Sequence, residues 1–123
     1  MKNTKFSFLK RIQSFAFAFN GLKILFRTEH NARIHLTAAV VVIGASAYFE
    51  LHALEWVAII FAIGFVISTE IINTAIEQLA DFWTTEQNAQ IKIIKDLSAA
   101  AVLVSALTAL TIGLIIFLPK INF

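Results

Sequence analysis

The 123-residue sequence contains no cysteine, only one proline, and four glycines that stand far apart. Without cysteine, neither a disulfide framework nor a metal site built on thiolates can form. The phosphate-binding P-loop motif and the glycine-rich dinucleotide fingerprint are also missing, so a bound nucleotide would have to be held by metal and side chains. Charge is scarce as well, because Asp, Glu, Lys and Arg make up 15% of the residues.

Apolar residues are abundant instead, at 59% of the sequence. A soluble domain of this length can bury only part of such a surface, so the composition favours a membrane protein. Residues 97–119 carry no charge and are long enough to span a bilayer, and residues 56–80 span it if protein groups accommodate Glu70 and Glu77. Residues 36–49 are uncharged but short unless His35 lies within the helix. We predict three transmembrane helices, at about 33–50, 54–83 and 91–118.

The segment of about 6–27 has the pattern of an amphipathic helix that lies in the membrane interface. The apolar face consists of Phe8, Leu9, Ile12, Phe15, Ala16, Phe19, Leu22 and Phe26. A basic amphipathic helix with phenylalanine on its apolar side is typical of an interfacial segment. Phe17 is an exception, because it points to the polar side near Lys10. Either a contact outside the membrane or an ordinary exposed position would explain this orientation of Phe17.

The distribution of charge predicts the orientation in the membrane. Up to residue 33 the chain has one acid and seven basic residues, which are Lys2, Lys5, Lys10, Arg11, Lys23, Arg27 and Arg33. The first predicted loop carries Glu50 and Glu55 without Lys or Arg, whereas Lys92 and Lys95 follow the second. The positive-inside rule therefore places the N-terminus and the second loop in the cytoplasm. Because the basic residues alternate with phenylalanines, we expect a membrane surface rather than nucleic acid as their partner.

The second predicted span carries a polar stripe made of Glu70, Asn73, Glu77 and Asp81. At 100° per residue these four side chains share one helix face, and Glu70 and Glu77 are separated by roughly 10.5 Å along the axis. Carboxylates are costly to place in lipid, so an ionisable group inside a span is a functional-site hypothesis by default. The stripe is therefore the first candidate for a functional site.

Charged side chains of three helices are expected to converge near the cytoplasmic surface. They are Glu29, Glu77, Asp81, Lys95 and Asp96, with Glu70 a little deeper. Carboxylates suit Mg²⁺ and a lysine suits phosphate, while a deeper carboxylate suits a general base toward a hydroxyl. Together these are the parts of a phosphoryl-transfer site. A small ion-coupled channel or transporter subunit using Glu70 and Glu77, and a structural membrane oligomer, remain open as alternatives.

The order of these residues adds a resemblance to a known family. The pattern Glu70-x-x-Asn73-Thr74-Ala75-Ile76-Glu77-x-x-x-Asp81, followed by Lys95-Asp96 and an alanine-rich helix, resembles the small bacterial integral-membrane lipid kinases. That family comprises diacylglycerol kinase and undecaprenol kinase. The resemblance implies a single lipid-kinase domain over residues 1–123, in a homotrimer in the bacterial inner membrane. It also implies transfer of the γ-phosphate of ATP to a lipid hydroxyl at the cytoplasmic side.

The same resemblance implies roles for individual residues. Glu70 corresponds to the general base at the lipid substrate, and Glu29 and Glu77 correspond to ligands of the Mg²⁺ ion bound with ATP. The residues implied to contact ATP are Lys10, Phe17, Glu29, Asn73, Glu77, Asp81, Glu86, Gln87, Asn88, Lys95 and Asp96. The correspondence at 86–88 rests on position alone, because the residue types differ there.

Departures from the diacylglycerol kinase branch bear on the acceptor. That branch usually has tyrosine and tryptophan where this chain has Phe17 and Phe19, and arginine where it has Lys10. The pattern Glu29-x-Asn31-x-x-x-His35 and the ending at 113–120 are similar to the undecaprenol kinase branch. Undecaprenol is therefore the expected acceptor and diacylglycerol the alternative. Both lipids end in a primary hydroxyl, so the catalytic residues do not discriminate between them.

Overall fold

The computed structural model describes residues 7–121, which form four α-helices and a short 3₁₀ turn. The helices are α1 (Phe8–Thr28), α2 (His30–Tyr48), α3 (Ala53–Trp83) and α4 (Ala89–Phe117), and the 3₁₀ turn covers Leu118–Lys120. Residues 7–121 contain no β-strand, which confirms the predicted all-α class.

Helices α3 and α4 form the main packing unit of the chain. Five residues, 84–88, connect them, so the two helices run antiparallel and make the most extensive contact between any two elements. α2 packs against α3. α1 meets the other helices only near its C-terminal end, where Leu25 is buried, while every residue from 8 to 21 is exposed.

The apolar core lies at the end of the bundle farthest along α3 from its polar stripe. Leu51, Ile59 and Ile116 are buried there, and partly buried apolar side chains of α2, α3 and α4 pack against them. The carboxylate of Glu55 in the first turn of α3 closes this end, because Lys120 Nζ approaches it at 3.1 Å and His52 Nε2 at 3.3 Å. The polar stripe of α3 thus lies toward the opposite end of the bundle.

The junction between α1 and α2 is a single extended residue, Glu29. The Arg33 side chain donates to the main-chain carbonyl of Phe26 at 2.7 Å and also to that of Arg27. These carbonyls end α1 and have no partner within the helix, so Arg33 satisfies them. α2 consequently begins at His30, before the predicted start at about 33, and the polar residues of 30–35 form its first turns.

α2 ends in a Schellman motif before the turn into α3. The Leu51 N–H donates to the Ser46 carbonyl and the Glu50 N–H to the Ala47 carbonyl, both at 3.2 Å. Glu50 adopts the left-handed conformation that this motif requires, with φ of 53°. The motif reverses the chain and carries Leu51 into the core.

Two of the described helices, α3 and α4, are long and apolar enough to cross a membrane. Only 28% and 11% of their most apolar windows are buried, so most of this surface faces outward. α2 has 19 residues, and His30, Asn31, Arg33 and His35 occupy its first two turns. Its insertion as a third span therefore stays a prediction.

Candidate active site

Glu70 is the most deeply buried charged residue in residues 7–121, with 1% of its surface exposed. His35 Nε2 of α2 lies 3.3 Å from its Oε1 atom. The two groups are not aligned as a hydrogen bond, so Oε1 has no hydrogen-bond partner in this part of the chain. A buried carboxylate oxygen without a donor is rare and calls for an explanation. The arrangement leaves Glu70 ready to accept a hydrogen bond from a ligand.

Two further carboxylates lie close enough to interact electrostatically with Glu70, namely Glu29 and Glu77. Glu29 occupies the N-cap position of α2, yet its side chain does not cap the helix and stays half-buried. Like charges gathered in this way repel one another, and a cation relieves the repulsion. Within residues 7–121 no three acidic or histidine side chains form a metal-binding cluster. The donor set still fits Mg²⁺, which usually takes one or two protein carboxylates and completes its shell with phosphate and water.

Asn73 connects Glu77 to α4. Ser98 Oγ donates to Asn73 Oδ1 at 2.5 Å, and Asn73 Nδ2 donates to Glu77 Oε1 at 3.4 Å. Ser98 is buried and Asn73 is half-buried, so the chain of contacts lies inside the α3–α4 interface. The sequence analysis gave Ser98 no role. Its position three residues after Lys95, on the same face of α4, is the signal that pointed to this contact.

A depression of about 620 Å³ opens where α3 ends and α4 begins. Six residues predicted to contact ATP line it: Asp81, Glu86, Gln87, Asn88, Lys95 and Asp96. Lys95 Nζ donates to Asp81 Oδ1, and Lys92 Nζ donates to Asp96 Oδ2, each at 2.6 Å. The sequence analysis missed Thr84, Thr85 and Lys92 as lining residues. Because they flank residues 86–88 and Lys95, position in the loop was the available signal.

Lys10 and Phe17, which the resemblance associates with ATP, lie apart from both groups of residues. They sit on the fully exposed part of α1, and Phe17 is 74% exposed. Neither side chain has a hydrogen bond, ion pair or ring contact with any described residue. One copy of the chain therefore brings together the α3 stripe, Glu29 and the depression, but not the α1 residues.

Apolar space flanks the buried carboxylate. A depression of about 500 Å³ lies between α1 and α3, and its wall includes Leu25, Ile71 and Thr74. Thr74 is one turn after Glu70, and its buried hydroxyl oxygen likewise has no hydrogen-bond partner within residues 7–121. This depression offers apolar walls to a ligand beside Thr74, one helical turn from Glu70.

The geometry combines three elements of a group-transfer site. Glu70 is a buried base with one oxygen that accepts no hydrogen bond, Glu29 and Glu77 each interact with it electrostatically, and the depression at the end of α3 carries Lys95. This combination suits transfer of a phosphoryl group from a metal-bound donor to a hydroxyl held at membrane depth.

Comparison with known proteins identifies similar proteins that are named as kinases. The family model described as prokaryotic diacylglycerol kinase matches residues 16–117. The chain is 40% identical over 109 residues to undecaprenol kinase from Bacillus subtilis, and the match covers 89% of both chains. It is 33% identical over 109 residues to diacylglycerol kinase from Synechocystis, where the match covers 88% of this chain and 62% of that protein.

Proposed function

Because the chain belongs to the prokaryotic diacylglycerol kinase family, we propose that it transfers the γ-phosphate of ATP to the primary hydroxyl of a membrane lipid alcohol. One observation carries the proposal within the chain itself. Glu70 is buried with an unpaired oxygen, beside the carboxylates of Glu29 and Glu77. Such a group is suited to accept the proton of a hydroxyl that enters from the membrane.

The reaction assigns one task to each group of residues. The hydroxyl oxygen of the lipid bonds to the γ-phosphorus, its proton passes to Glu70, and the bond from phosphorus to the leaving ADP oxygen breaks. Lys95 binds phosphate oxygens and offsets their charge. Glu29 and Glu77 would hold Mg²⁺, which shields the phosphate charge when bound. Asn73 holds Glu77, while Asp81, Asp96 and residues 86–88 form the wall against the nucleotide.

Undecaprenol is the acceptor that we propose, with diacylglycerol as the alternative. The relative named undecaprenol kinase matches 89% of its own length at 40% identity, against 62% and 33% for the relative named diacylglycerol kinase. The pattern Glu29-x-Asn31-x-x-x-His35 adds support, because it is similar to the undecaprenol kinase branch.

The active protein is, in this proposal, a homotrimer with three spans per subunit in the bacterial inner membrane. Exposed Val40, Val41 and Ile43 give α2 an apolar outer surface, and the same is true of most of α3 and α4. The N-terminus and the α3–α4 connection face the cytoplasm by the positive-inside rule. Lys10 and Phe17 have no site contact within one chain, so α1 of a neighbouring subunit is the expected source of these residues.

Transfer of radiolabel from γ-labelled ATP tests the proposal. Purified protein in detergent micelles receives magnesium with undecaprenol or diacylglycerol, assayed side by side. We expect labelled undecaprenol, at a higher rate than labelled diacylglycerol. The reverse preference would overturn the choice of acceptor. Labelling of neither lipid by a well-folded oligomer would overturn the kinase proposal, and proton or sodium flux into liposomes without ATP would then support an ion-coupled function.

A further inference from the structure

The buried carboxylate of Glu70 must lose a proton after every turnover of the proposed reaction. Each turnover delivers one proton to its carboxylate, and the base must lose that proton before it can act again. Glu70 is 1% exposed, so water does not reach it directly. A second group is therefore needed to carry the proton away from the buried carboxylate.

We propose that His35 receives this proton from Glu70 and releases it to water. The inference rests on the proposed kinase function. His35 Nε2 lies 3.3 Å from Glu70 Oε1, so a small rotation of either side chain would align the two atoms for proton transfer. Of the His35 side chain, 26% is exposed at the surface of the chain, so the imidazole connects the buried carboxylate with the outside of the helix bundle near the start of α2. Histidine is the side chain best suited to this role, because it gains and loses a proton near neutral pH.

The steps balance in atoms and charge. Transfer of the phosphoryl group leaves lipid phosphate, ADP and a protonated Glu70. Neutral His35 then takes this proton on Nε2 and releases a proton from Nδ1 to water, which restores the carboxylate. Exchange of the two neutral imidazole tautomers returns the histidine to its starting form. The sum is lipid alcohol plus ATP giving lipid phosphate, ADP and one proton.

The other charged groups around Glu70 are less suited to this task. Glu29 and Glu77 interact with it electrostatically, but in the proposed reaction both bind the cation. Arg33 is close to His35 in the sequence, but it donates to the carbonyls that end α1, and a guanidinium does not release its proton in a protein. Among the groups that interact with Glu70, His35 is thus the one available to exchange protons.

Chemical rescue of a variant tests the relay. His35→Ala is expected to lower the turnover number by roughly 100-fold, which is within the range for general acid–base groups, with little change in the KM for ATP. Added imidazole should restore much of the rate, and substituted imidazoles should do so in proportion to their basicity. His30→Ala is the matched control, because His30 is exposed on the same helix, and it should keep the wild-type rate.

His35→Gln separates proton transfer from simple support of Glu70. Glutamine keeps a polar side chain of similar size, but its amide does not gain and lose a proton near neutral pH, so we expect it to be as slow as the alanine variant. Wild-type turnover in His35→Gln, or a His35→Ala variant that imidazole does not rescue, would overturn the relay. These results would leave the kinase proposal intact, whereas a wild-type protein without lipid phosphorylation would overturn both.

Discussion

Ser98 on α4 donates a hydrogen bond of 2.5 Å to the side-chain oxygen of Asn73 on α3. This bond fixes the orientation of the amide, so that its nitrogen faces Glu77 at 3.4 Å. The position of a proposed metal ligand therefore depends on the packing of two helices. A residue that touches neither lipid nor nucleotide in this account, Ser98, is expected to affect nucleotide binding through that packing.

Ser98→Ala removes the donor that orients Asn73. Since a single hydrogen bond contributes about 1 kcal/mol, we expect the affinity for Mg-ATP to fall roughly three- to tenfold. Ser105→Ala is the matched control, because Ser105 is also buried in α4 but contacts Thr69 rather than the acidic stripe. Nucleotide titration of both variants measures the difference. Equal affinity in the two variants would contradict the role assigned to Ser98.

Glu77→Gln removes one of the two carboxylates proposed to hold the cation. We expect nucleotide affinity in magnesium to fall on the order of tenfold or more, because the charge of the ligands sets the affinity for a hard cation. In EDTA the variant and the wild type should bind nucleotide equally weakly. Glu50→Gln, at the opposite end of the bundle, is the control. A wild-type dependence on magnesium in Glu77→Gln would remove Glu77 from the metal site.

Lys95 and Asp81 form an exposed ion pair across the mouth of the depression. Bound phosphate would compete with Asp81 for the ammonium group, so the lysine matters more than its partner. We expect Lys95→Gln to raise the KM for ATP by about tenfold, since a charge-assisted bond to phosphate is lost. Asp81→Asn should raise it less. Measurement of the KM for ATP in the two single variants tests this prediction. A larger rise in Asp81→Asn than in Lys95→Gln would contradict the role of Lys95 in binding phosphate.

Thr69 and Ser105 link α3 to α4 by a hydrogen bond of 2.7 Å between their hydroxyls. Such bonds between membrane helices contribute about 0.6 kcal/mol on average. Thr69→Val should therefore lower thermal stability slightly, while turnover at low temperature stays at the wild-type level. Thr108→Val is the control, because the Thr108 hydroxyl donates only within its own helix, to the Val104 carbonyl. A larger loss of stability in Thr108→Val would contradict this reading.

Much of the fold follows from the sequence because its patterns are local. The spacing of residues 70, 73, 77 and 81 predicts a polar helix face from geometry alone. The structure places Asn73 and Asp81 of this stripe in contact with α4. The all-α class follows in the same way from long apolar runs with few helix-breaking residues. Patterns of this kind depend on one helix at a time.

Contacts between helices are harder to predict, because they depend on how far and at what angle two helices meet. His35 and Glu70 are 35 positions apart, and the sequence placed His35 only near the start of the first predicted span and in a pattern similar to one branch of the family. For Lys10 and Phe17 the sequence predicts a contact that one chain does not contain. A family resemblance assigns them to the nucleotide, yet one chain leaves them exposed. The contact with a neighbouring subunit that we propose for them is not apparent from the geometry of a single chain.

The most direct test of the account compares wild type with Glu70→Gln in two assays on the same preparation. One assay measures transfer of the γ-phosphate to undecaprenol, and the other measures binding of ATP in magnesium. Because glutamine keeps the shape of the side chain but cannot accept a proton, we expect turnover to fall by roughly 100- to 10,000-fold with ATP binding nearly unchanged. Wild-type turnover in Glu70→Gln would contradict the central claim that this buried carboxylate activates the lipid hydroxyl.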